Sequence, residues 1–233
     1  GGAKAPVQTF AGQYPPLYYA LVGWPSRFLS VEPAVYAMRL VSAAVTATLL
    51  AWAAWRLRAS VLPAVATWAV LVALTPMTLF VGATVNPQAL EISSAAAFWA
   101  AILALVVTPS RPSRATFVQA AVAGAILVNS RSSGPVWALV AVVVALVLAP
   151  RARLRLLWAM RAMRWTLVAA VGAGALAVGW LFTHGGVVTG NHLFPQYAGP
   201  LTVARTVLAN THQYLQQMVG DFGWLDAPSP AVT

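Results

Sequence analysis

Three ionisable side chains stand inside stretches that are otherwise apolar: Arg39, Glu91 and Arg131. A charge at membrane depth is costly and faces a partner, a cavity or a substrate path. The chain has only four acidic residues, so a carboxylate near the head of an apolar run calls for an explanation. Arg39 lies about 9 Å along the axis of a first apolar helix, at 1.5 Å per residue. Glu91 lies about one turn into another helix, and Arg131 sits in a polar corner, Asn129-Ser130-Arg131-Ser132-Ser133-Gly134-Pro135. All three share one depth, so Arg39 or Arg131 is expected to approach Glu91. Such a cluster has two readings: an ion pair that fixes helix packing, or a pocket where arginine holds an anionic group such as a lipid phosphate.

The elements that must position these residues follow from composition. Of the 233 residues 60% are hydrophobic and 8% charged, too few charges for a water-facing domain. The net charge of +10 comes from arginines that punctuate apolar runs. That pattern predicts a lipid bilayer as partner and no nucleic acid. Cysteine is absent, which excludes disulfides and thiolate metal sites. His184, His192 and His212 lack metal-ligand spacing, and no dinucleotide or phosphate-loop fingerprint occurs, so neither metal nor cofactor is expected. Ser132-Ser133-Gly134 lacks the strand–turn–helix setting of a nucleophile elbow.

The reading is all-α: a polytopic transmembrane bundle of about six spans or half-spans with interfacial helices on the outer face, forming one domain over residues 1–233. Residues 15–29, opened by Pro15-Pro16 and rich in Tyr and Trp, predict a helix lying in the headgroup region. Membrane spans occupy 33–183. The first is Pro33–Trp55, the second runs from about Val61 to Ala83 and the third from Pro87 to Val107, each long enough for a hydrocarbon core of about 30 Å. Ala115–Ala149 is two halves about the 129–135 corner, either two short spans or a re-entrant break. Arg151–Arg164 spreads five arginines around a helical wheel and predicts a basic connector, not an amphipathic helix. A last span, Trp165–Thr183, holds Gly172, Gly174 and Gly179, which suit close helix packing. Residues 184–233 predict an outer loop with an amphipathic helix over 201–219; Asp221 and Asp226 flank Phe222-Gly223-Trp224, a turn and interfacial anchor.

Nine of the 14 basic residues fall in the turns at 56–58, 111–114 and 151–164. The positive-inside bias therefore puts residues 1–32, 184–233 and the Asn86–Glu91 corner on the outer side. The start at Gly1-Gly2-Ala3-Lys4 and the end at Ala227-Pro228-Ser229-Pro230 predict an internal fragment of a longer membrane protein.

Several ordered stretches resemble the bacterial membrane-protein family labelled domain of unknown function 2142. They are Gln13-Tyr14-Pro15-Pro16-Leu17-Tyr18-Tyr19, Ala37-Met38-Arg39-Leu40-Val41-Ser42, Thr75-Pro76-Met77, Val85-Asn86-Pro87-Gln88-Ala89-Leu90-Glu91, Arg131-Ser132-Ser133-Gly134-Pro135 and Phe222-Gly223-Trp224-Leu225-Asp226. The Ala- and Arg-rich composition resembles that of a high-GC actinobacterium. The layout is also similar to the GT-C class of membrane glycosyltransferases, which take sugars from polyprenyl-phosphate donors at the outer face. That resemblance implies inverting glycosyl transfer to a glycan acceptor in the bacterial plasma membrane. Arg39 and Arg131 would then hold phosphate or pair structurally, Asn86, Gln88 and Glu91 would line the outward cavity, and Tyr18 and Tyr19 would border the lipid-sugar groove. The class places its catalytic Asp or Glu in a first outer loop that does not occur in this sequence, so no catalytic residue is assigned. Two rival readings stand beside it: a transporter or flippase for a lipid-linked or anionic substrate, and a non-catalytic membrane scaffold.

Overall fold

The computed structural model describes residues 14–60 and 63–184, with short pieces at 205–206, 208–212, 215, 221–222 and 227–228. The chain begins with α1 (Leu17–Val22) and a 3-10 turn (Trp24–Arg27). It continues through α2 (Val31–Ser60), α3 (Pro63–Ala73), α4 (Pro76–Gly82), α5 (Pro87–Val107), α6 (Arg114–Val128) and α7 (Gly134–Leu148). The bundle closes with α8 (Arg151–Ala159) and α9 (Arg161–Thr183), and a short ribbon pairs Asp221 with Pro228 and Phe222 with Ala227.

The expected all-helical membrane bundle is present, and α2, α5 and α9 are each long and apolar enough to cross a bilayer. Helix α5 is the hub: 61% of its apolar stretch is buried, against 22% for α2 and 17% for α9. The reason is its row of small residues, Ala97, Ala100, Ala101 and Ala104, which lets α2 and α6 approach closely. Gly124 of α6 serves the same contact, since a Cβ there would lie 2.9 Å from the Phe98 ring. Elsewhere large apolar side chains face outward, among them Leu40, Trp68, Val147, Val171 and Leu176. Apolar surface on that scale is what lipid covers.

Local chemistry sets the boundaries. Asn86 caps α5 by accepting from the Gln88 N–H at 2.9 Å, with Pro87 in the first turn. Ser113 caps α6 by accepting from the Thr116 N–H at 3.3 Å. The third span matches the sequence reading, Pro87–Val107, and the first is longer than expected.

Four expectations need correction. The second span is not continuous: it breaks at Leu74-Thr75, because Pro76 cannot continue α3 and Thr75 starts α4 by accepting from the Thr78 N–H. Gly172, Gly174 and Gly179 do not pack against helices, since a Cβ at each would meet open space, and α9 packs instead through Ala173, Ala177 and Leu181. The basic connector contains a helix with a buried side, because Arg153 and Leu157 lie one turn apart and both are buried. Arg153 faces inward because its Nε and Nη1 donate to the carbonyls of Leu105 and Ser110 at 2.7 and 2.9 Å, beside the C-terminal end of α5. The fourth correction, Arg39, belongs to the site. Most of the helix expected over 201–219, together with His192 and Asp226, lies outside the described residues.

The two ends of the bundle are chemically different. At one, Arg56 meets Gln119 and Arg153 meets the α5–α6 connector; at the other, Tyr18 meets Ser42 and Arg131 meets Glu91.

Candidate functional site

The site forms where the head of α5 meets the corner between α6 and α7. Asn86 and Pro87 start α5 so that Glu91 falls one turn inside it, on the buried side. The corner is fixed by its own bonds: the N–H groups of Asn129 and Ser130 donate to Ile126 and Leu127, and the Gly134 N–H donates to Arg131 at 3.1 Å. Only glycine fits at 134, because a Cβ would lie 2.0 Å from the Leu127 carbonyl oxygen. This chain path delivers Arg131 and Ser133 to Glu91.

Arg131 Nη1 lies 3.3 Å from Glu91 Oε2, and Ser133 Oγ donates to Glu91 Oε1 at 2.5 Å. The two charged side chains differ in exposure, 26% for Arg131 and 8% for Glu91. The guanidinium also sits 5.5 Å from the centre of the Tyr14 ring, within cation–π range. Its Nε is buried and has no hydrogen-bond partner among the described residues. Both carboxylate oxygens of Glu91 are thus committed, whereas the arginine keeps donor capacity.

The tyrosines stand beside this pair. The Tyr18 hydroxyl lies 3.2 Å from Ser42 Oγ, and its ring meets Tyr19 edge-on at 5.5 Å between centroids. Burial pushes the Tyr18 phenol above its ordinary value, with the Ser42 bond opposing. Burial likewise raises Tyr19, helped by Tyr14 and Tyr18, while the charge of Arg131 pulls it down.

Arg39 is not part of the cluster. It is exposed and its Nε donates to the Ala83 carbonyl at 3.0 Å, tying α2 to the end of α4. Residue spacing gives a position along the helix axis but none around it. Asn86 is a helix cap, and Gln88 is exposed. Of the expected residues, the fold unites Glu91, Arg131, Tyr18 and Tyr19, with Asn86 at the margin.

The corner is recessed. Asn129 Nδ2 donates to the carbonyl of Ala173, midway along α9, at 3.2 Å. From Ala173 to Thr183, α9 continues roughly 15 Å past that level, and from Ser42 back to Val31, α2 extends a similar distance. Counted along each axis, α9 and α2 thus continue past the residues that meet this end of the bundle.

Residues that sequence reasoning did not assign to the site include Ser133 and Tyr14. At the opposite end, Arg56 Nε donates to Gln119 Oε1 at 2.8 Å, and Gln119 Nε2 donates to the Ala97 carbonyl at 3.2 Å. Gln119 was legible as a lone amide in an apolar run. Among the described residues no three His, Asp or Glu side chains converge as metal ligands.

No curated protein and no solved structure matches the chain. The family described as "Predicted membrane protein (DUF2142)" matches residues 2–233, and with the apolar helices and the motifs around Asn86, Glu91 and Arg131 this establishes that the chain belongs to that family of membrane proteins.

Proposed function

We propose that this protein is a glycosyltransferase-like component of cell-envelope glycan assembly, and that its recessed corner receives the phosphate of a lipid-linked sugar. The observation that carries this reading is the state of Arg131. The ion pair with Glu91 and the Tyr14 ring fix its guanidinium, yet the side chain stays 26% exposed. A fixed, partly exposed guanidinium suits a phosphate, whose negative charge grows as the sugar leaves. In such a transfer the acceptor hydroxyl oxygen bonds to the anomeric carbon. The carbon–oxygen bond to phosphate breaks, the lipid phosphate departs with the electron pair, and a base takes the hydroxyl proton.

Glu91 accepts from Ser133 and pairs with Arg131, so its role in this reading is to hold the guanidinium. It is a positioning residue for Arg131. Tyr19 would border the sugar, whereas Tyr18, expected there too, is buried against Ser42 and supports Tyr19 from behind. The arginine-rich end of the bundle would face the cytoplasm of a bacterial plasma membrane, leaving residues 1–32 and 184–233 outside.

The test is complementation of a deletion strain by Arg131→Ala, with surface glycan and lipid-linked precursor both measured. Loss of one surface sugar together with accumulation of its lipid-linked donor on the outer leaflet supports the transferase. Precursor trapped on the inner leaflet would instead indicate a flippase, and an intact glycan a scaffold.

A further inference from the structure

We propose a second binding site, at the opposite end of the bundle: a groove between α6, α7 and α9 that holds an acyl chain of an anionic phospholipid, with its headgroup on the arginines of α8 and early α9. The groove has a volume of about 340 Å³, and its wall includes Ile102, Gly124, Val142, Leu157, Leu167 and Ala170. Thr166 is the one hydroxyl-bearing side chain in that wall, and its hydroxyl already donates to the Ala162 carbonyl at 3.1 Å. An apolar groove of this kind at membrane depth offers a hydrocarbon chain dispersion contacts and offers water nothing to bond. From Met163 to Ala173 the wall runs roughly 15 Å along α9.

Charge identifies the occupant. The axes of α7 and α8 differ by 119°, so α8 turns across the arginine-rich end of the groove. Leu154 and Leu157 of α8 contribute to the groove wall, and Arg153 anchors that helix to the Leu105 and Ser110 carbonyls. The neighbouring Arg151, Arg155, Arg161 and Arg164 are all exposed. No Asp or Glu occurs in the sequence between Glu91 and Asp221, so these four cations have no carboxylate near them in the chain. Basic rims over apolar clefts between membrane helices attract anionic headgroups, whose phosphate accepts from guanidinium while the chain enters the cleft. A zwitterionic lipid would leave the rim uncompensated.

The experiment takes purified full-length protein from vesicles of phosphatidylglycerol and phosphatidylcholine in equal parts and counts retained lipids by native mass spectrometry. Phosphatidylglycerol should be retained in preference. Arg155→Gln with Arg161→Gln and Arg164→Gln should reduce that preference roughly tenfold or more. Ala170→Trp, at an exposed position in the wall, should displace the lipid while leaving the four arginines in place; Val142→Phe serves if the first variant does not fold. Equal retention of the two lipids overturns the proposal. So does retention that ignores groove filling, which would mean a charged surface without a chain site, or displacement of phosphatidylglycerol by a polyprenyl phosphate at equal concentration. Because the readout is lipid at the arginine-rich end, it is independent of any glycan result for Arg131.

Discussion

Arg131 Nη1 and Glu91 Oε2 meet at 3.3 Å, joining the corner between α6 and α7 to the head of the most buried helix in the bundle. The pair is unequal: Glu91 is almost enclosed, while Arg131 reaches the recess. Removing one member strands the other, and the two losses should not be alike. Glu91→Gln leaves a guanidinium that can still find water, whereas Arg131→Met leaves a buried carboxylate held only by Ser133. Thermal unfolding in detergent should show Arg131→Met as the more damaging, by roughly 2–4 kcal/mol. The double variant Arg131→Met with Glu91→Leu should regain most of that loss, since neither charge is then unpaired. A double variant no better than its worse parent contradicts the assignment.

Arg39→Ala should be nearly silent. Its guanidinium is exposed and, among the described residues, makes one neutral bond, to the Ala83 carbonyl. Such a bond contributes about 1 kcal/mol at most. If Arg39→Ala lowers the unfolding temperature as far as Arg131→Met, Arg39 faces the site after all.

Much of this architecture was legible in the sequence, and the remainder was hidden for identifiable reasons. Helix α5 could be read residue by residue because Asn86-Pro87 and Thr108-Pro109 bracket an unbroken apolar run. The Thr75-Pro76 break was obscured, since apolarity continues through it and hydropathy outweighed the cap signal. Depth along a helix is a count of residues, so Glu91 and Arg131 were correctly placed at one level. Angle around a helix depends on neighbours, which is why Arg39 was grouped with them and why Gly172 and Gly174 were mistaken for packing positions. Arg153 hid the buried side of α8 because an inward arginine reads as a polar residue out of phase. Its partners are backbone carbonyls, which carry no sequence signature.

Glycine substitutions separate real close approaches from apparent ones. Gly134→Ala should be strongly destabilising, because its Cβ would be forced against the Leu127 carbonyl oxygen, which is backbone and cannot yield. Gly174→Ala should be neutral or gain up to about 1 kcal/mol, since alanine is the better helix former and its Cβ meets nothing. Unfolding temperatures of the two variants in one detergent give the comparison; equal shifts would mean the corner is not built this way.

Tyr18 supplies a pH test. Burial raises the phenol's pKa in the folded protein above its unfolded value. The fold therefore favours the neutral form: that stabilisation is complete below the ordinary phenol pKa near 10 and is lost as pH rises through the higher folded value. Ultraviolet titration should show two late-ionising phenols, Tyr18 and Tyr19, and Tyr18→Phe should remove one of them. If Tyr18→Phe leaves the amplitude of the late component unchanged, the buried phenol is a different tyrosine.

Gln119 governs the other end. Arg56 is buried, its Nε rests on Gln119 Oε1, its guanidinium lies 4.9 Å from the Trp55 ring centre, and its Nη2 has no hydrogen-bond partner among the described residues. Gln119 in turn donates to the Ala97 carbonyl, so one amide links α2, α5 and α6. Gln119→Leu keeps the volume but leaves the Nε of a buried cation without an acceptor, and should cost roughly 2–4 kcal/mol. Arg56→Met alongside Gln119→Leu removes the stranded charge and should recover the larger part of it, as a double-mutant cycle of thermal unfolding would measure. Additive losses would show that Arg56 finds another acceptor, and that the link between the three helices does not run through Gln119.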